Sequence, residues 1–83
     1  MNKKDLAGKV VHFYDKISVA VIKLEKALRV GDKVKFEYGE HSFEQIIESM
    51  QLEHEQVLQG KKGQEVAVKV GKETKSGTLV YLA

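Results

Sequence analysis

The chain contains no cysteine, no proline and no tryptophan. Without cysteine there is no disulfide and no thiolate chemistry. No apolar run nears the ~20 residues of a membrane span. No apolar run follows Lys3 and Lys4, so no signal peptide is expected. Nothing demands export, and a cytoplasmic location is expected. No Gly-x-x-x-x-Gly-Lys-Ser/Thr run occurs, which excludes that backbone cradle for nucleotide phosphates. No serine sits in a Gly-x-Ser-x-Gly elbow. The only histidines, His12, His41 and His54, have spacings that fit no zinc motif. Glu53, His54 and Glu55 would point to alternate faces as strand neighbours, so they do not converge for acid–base work. No metal, no cofactor and no catalytic residue is expected, and the chain is read as non-enzymatic.

What remains is a chain of 83 residues, enough for one domain. Apolar residues make up 42% and charged residues 31%, the balance of a soluble globular protein. The net charge of +2 permits an acidic partner without demanding one. There is no internal repeat, low-complexity segment or linker. Residues 1–7 are polar and expected to be flexible; residues 8–83 are expected to form the single domain.

Strand signals dominate. Lys9 to Tyr14 and Ile17 to Leu24 are rich in β-branched and aromatic residues, with apolar side chains on both faces. Gly31-Asp32 marks a turn. After it, Val34, Phe36 and Tyr38 alternate with Lys33, Lys35 and Glu37, the pattern of a half-buried strand. Gly60-Lys61-Lys62-Gly63 breaks the chain again. Val66, Val68 and Val70 then alternate with polar or small residues, and Thr78 to Leu82 closes the chain as a strand.

The stretch from Ser42 to Gly60 admits two readings. Phe43, Ile46, Ile47, Met50, Val57 and Leu58 fall on one helical stripe, and Ser42 with Gln45 has capping-box form. Ile46, Met50 and Leu52 also share one strand face. A helix over 43–59 would give an α+β domain. A strand would supply a sixth segment, letting the sheet close and lose its edges. Periodicity favours the helix; closure favours the strand.

Several pieces, in order, resemble domain II of the translational GTPases, the small barrel of elongation factor Tu and its relatives. They are Gly8-Lys9-Val10, the run Leu28 to Val34 around Gly31-Asp32, Glu48 to Leu52, Gly60 to Val66, and Ser76 to Val80. The stretches Ile17–Leu24 and Phe43–His54 are closer still to two relatives: the short translation elongation factor-like proteins and the C-terminal barrel of the collagenase-like peptidase family. Better-understood members of that peptidase family are linked to RNA modification.

The resemblance implies an all-β fold, a six-stranded closed β-barrel, with residues 43–54 mainly extended and an irregular turn from Glu55 to Gly60. It also implies contact with RNA, the ribosome or another translation-linked partner. The alternative it implies is a protein-interaction module serving a collagenase-like peptidase or an RNA-modifying enzyme. In elongation factor Tu an acidic residue of the central strand helps hold the tRNA terminal adenosine. Gln51 matches that position here, His54 matches a basic one, and Ala67 replaces a common glycine. The GTPase domain is missing, so no nucleotide is expected. Candidate RNA or partner-binding residues are Lys9, Arg29, Gln51, His54, Lys61, Lys62, Lys69 and Lys72. Their phosphate contacts would weaken with salt, and Tyr14, Phe36 or Tyr38 would stack on bases if exposed.

Overall fold

A computed structural model describes residues 6–83, which contain ten strands and no helix. In chain order the strands are β1 (Leu6–Tyr14), β2 (Val19–Leu24), β3 (Leu28–Arg29), β4 (Lys33–Tyr38), β5 (His41–Ile46), β6 (Met50–Leu52), β7 (Glu55–Gln56), β8 (Gln59–Gly60), β9 (Glu65–Lys69) and β10 (Leu79–Leu82). Eight form one sheet in the order β5-β4-β10-β1-β2-β9-β6-β7, and β3 pairs with β8 in a separate ribbon. Every pairing is antiparallel.

Two sequence expectations are corrected. The sheet is not closed into a barrel: it is open, with β5 at one edge and β7 at the other. The alternative helix over 43–59 is absent too; that stretch holds four short strands. In place of a helix, residues 41–46 pair with β4, and Ile47 continues that ladder. Its N–H donates to the Asp32 carbonyl (2.9 Å) and its carbonyl accepts from the Gly31 N–H (2.7 Å). The Gly31-Asp32 turn thus engages the chain just after β5. The stretch expected to seal the sheet is divided into β5 and the three-residue β6. Leu52 and Glu55 then pair across a Glu53-His54 turn, with both turn residues at positive φ (52° and 71°).

The expected flexible segment 1–7 lies mostly outside the described residues. Leu6 and Ala7 belong to β1, and Ala7 is fully buried. The core gathers inward side chains of β1, β2, β4, β9 and β10, among them Val10, Ile22, Phe36, Val68 and Val80, with Ile47 and Met50 from the divided stretch. Period-2 alternation places them there: β4 and β9 each bury alternate residues. Two glycines permit close packing. A Cβ on Gly8 would lie 2.5 Å from the Lys23 carbonyl oxygen, and one on Gly60 would lie 2.6 Å from Leu24 Cδ1.

β1 bends twice. Its register shifts between Leu6 and Gly8 against β10, and between Val10 and His12 against β2. Such bulges increase local twist and re-aim side chains. Val11, at the second bulge, is left exposed. The backbone of Val10 meanwhile bonds Gly77 and Thr78 (2.8 Å each), tying the 76–78 turn to the middle of β1.

Candidate functional site

A concavity of about 600 Å³ lies between the β4–β5 hairpin and residues 72–78. Its floor is aromatic. Phe36 and Phe43 oppose each other across β4 and β5, and their rings stack at 5.0 Å with 5° between planes. Phe36 is buried and Phe43 half-buried. Tyr38 stands at the mouth, 45% exposed.

The opposite wall is the 72–75 segment. The Lys72 ammonium lies 5.6 Å from the Phe43 ring centre, and the Lys75 ammonium 5.8 Å from that of Tyr38. Both are within the range at which a ring face attracts a cation. Two buried hydroxyls hold this wall: Thr74 Oγ1 donates to the Lys72 carbonyl (3.0 Å) and Thr78 Oγ1 to the Lys75 carbonyl (2.6 Å). Burying a hydroxyl unpaired would be unfavourable, so these bonds fix the loop's course. The arrangement offers an apolar, π-rich floor, two exposed lysines over its rings and one interleaved carboxylate, Glu73.

The eight sequence candidates do not converge. Lys72 alone joins the cleft. Lys9, Gln51 and Lys69 sit on the solvent face of the sheet, where Lys9 opposes Lys23, Gln51 opposes Ala67 and Lys69 opposes Val19. Arg29 lies in β3, its N–H donating to Asp32 Oδ2 (3.0 Å). His54 occupies the β6–β7 turn. Lys61 and Lys62 precede β9, whereas Lys69 and Lys72 stand at and beyond its other end. A strand advances about 3.4 Å per residue, so the length of β9 separates them. Of the aromatics, Phe36 is core, while Tyr14 and Tyr38 are exposed. The histidines are dispersed: His12 packs on Tyr14 (4.3 Å between ring centres), His41 lines the cleft and His54 caps a turn.

Sequence reading missed the cleft because its two walls are about thirty residues apart in the chain. Phe43 falls in the stretch that fits both a helix and a strand. Lys75 carries no pattern in the sequence that ties it to the aromatic residues of β4 and β5. The run of polar residues from Gly71 to Gly77 was the one local signal.

No protein-family model matches the chain. An uncharacterised protease of Methanocaldococcus jannaschii is 40% identical over 77 residues, or 90% of this chain. The chain spans 19% of that protease's length. Two crystal structures share the fold. Both show the C-terminal domain of a protein assigned to the U32 peptidases in Geobacillus thermoleovorans. One matches with a TM-score of 0.91 at 22% identity, covering 100% of this chain and 97% of that one. The other, the selenomethionine form, gives 0.88 at 24%, covering 93% and 98%. These relatives support the collagenase-like peptidase half of the resemblance rather than the translation-factor half.

Proposed function

We propose that this chain is a non-catalytic accessory module of the collagenase-like (U32) peptidase type, acting by contact with another protein. The carrying observation is the 40% identity with about a fifth of a protease, alongside a shared fold with a U32 peptidase C-terminal domain. The test is calorimetry between this chain and a collagenase-like peptidase lacking its own C-terminal domain. A one-to-one complex at about micromolar affinity is expected. No heat and no change in that enzyme's activity would refute the reading.

A second reading, contact with RNA, is favoured by one feature. On the outer sheet face Lys9 and Lys23 are cross-strand neighbours, and Tyr14 stands 50% exposed in the same sheet, across Val19 from Lys69. Adjacent cations and an open ring suit a phosphate and a base. Titration with tRNA at rising salt tests it. Affinity falling with the logarithm of salt, and lost on Lys9→Glu/Lys23→Glu, supports RNA contact; no binding at low salt removes it.

A further inference from the structure

The open edge of the sheet carries an inference of its own. β5 bonds to β4 in a register set by the two-residue Gly39-Glu40 turn, with Tyr38 opposite His41 and Phe36 opposite Phe43. In such a hairpin the residues flanking the turn exchange both backbone bonds, and bonded pairs then alternate. Ile47 keeps that alternation, donating its N–H to Asp32. The bonded positions of β5 are therefore His41, Phe43 and Gln45. The N–H and C=O groups of Ser42, Glu44 and Ile46 point away from β4. Among the described residues no strand lies beyond them and no hydrogen bond reaches them.

The two edges of the sheet differ. β7 is two residues long, too short to template much pairing, whereas β5 has six. Along β5 the gap is bridged at one place. Gln45 Nε2 donates to the Lys69 carbonyl (2.9 Å) and Gln45 Oε1 accepts from the Gly71 N–H (3.0 Å). Beyond this bridge, toward His41, the edge opens into the cleft of about 600 Å³. That size is within the roughly 300–1,000 Å³ typical of ligand sites.

We propose that the free edge at Ser42 and Glu44 receives an extended peptide as an added antiparallel strand, roughly four residues long, from Gln45 toward His41. The unpaired backbone row specifies a peptide backbone, since only another strand offers donors and acceptors at that spacing. The cleft specifies the side chains. An apolar or aromatic residue packs against Phe43 and Tyr38, and flanking carboxylates meet Lys72 and Lys75. These lysines outnumber the one acid of the wall, Glu73. The occupant is thus an acidic, apolar segment of another protein. This edge proposal stands apart from the peptidase reading.

The probe is the capped peptide acetyl-Glu-Val-Glu-Tyr-Glu-amide, titrated into ¹⁵N-labelled protein to about 1 mM, a concentration suited to weak peptide contacts. Saturable shifts at the Ser42 and Glu44 amides and across residues 72–75 are expected. A peptide with alternate backbone nitrogens methylated, and one with lysine in place of glutamate, should each bind at least about tenfold more weakly. Lys72→Glu/Lys75→Glu should weaken binding by a similar factor; both lysines are exposed, and unchanged shifts elsewhere would show an intact fold. No shifts at about 1 mM, undiminished binding of the methylated peptide, or an edge occupied by a second copy of this chain would overturn the proposal. Peptide binding without peptidase association would refute the module reading alone.

Discussion

Gln45 and Lys69 are 24 positions apart in the chain, yet a side-chain amide joins them: Gln45 Nε2 donates to the Lys69 carbonyl at 2.9 Å. The same amide accepts from the Gly71 N–H at 3.0 Å. One side chain therefore links edge strand β5 to the segment leaving β9, where no backbone ladder connects them. A link of this kind restrains the gap at one point and leaves the remainder of the edge accessible.

Gln45→Ala should lower stability by about 1 kcal/mol, since the freed backbone groups are exposed and water replaces the lost bonds. Gln45→Glu should fall between the two, keeping the acceptor for Gly71 and losing the donor to Lys69. Urea unfolding checks the order. An unchanged midpoint for Gln45→Ala would show that the bridge contributes nothing.

Gly8→Ala and Gly60→Ala should both destabilise, and the first more. At Gly8 the new Cβ would meet a backbone oxygen at 2.5 Å; at Gly60 it would meet Leu24 Cδ1 at 2.6 Å and Val66 Cγ1 at 2.9 Å. Side chains yield more readily than backbone, so about 1–3 kcal/mol is expected at Gly60 and about 3 kcal/mol or more at Gly8. Thermal and urea unfolding of both variants would test this ranking.

The Glu53-His54 turn should tolerate improvement. Both residues adopt positive φ, which two-residue hairpins favour in Asn-Gly and which disfavours ordinary side chains. Glu53→Asn/His54→Gly should raise stability by roughly 1 kcal/mol. A loss of stability would show that contacts of the native side chains outweigh the strain.

The same turn shows where sequence reading succeeded and where it failed. Val34 and Phe36, or Val66 and Val68, could be assigned because simple alternation places them on the buried face of a strand. The Gly31-Asp32 and Gly60–Gly63 turns were legible because glycine serves positive φ, as at Gly31 (99°) and Gly63 (89°). The β6–β7 hairpin was not legible, because Glu-His gives no turn signal. Nor was the end of β5 legible, where Ile47 meets Gly31 and Asp32 at the base of the β4–β5 hairpin. The expectation of closure came from the general disadvantage of open edges. This chain shortens one edge to two residues and spans the other with a glutamine. The cleft could not be read at all, since its lysines and aromatics meet only once β10 has paired with β4.

Amide hydrogen exchange along β5 tests the open edge most directly. Phe43 and Gln45 donate toward β4 and should exchange about 100-fold or more slowly than Ser42, Glu44 and Ile46, whose amides face the gap. Uniform protection from Ser42 through Ile46 would mean that a partner strand already occupies this edge. It would contradict both the open sheet and the docking site built on it.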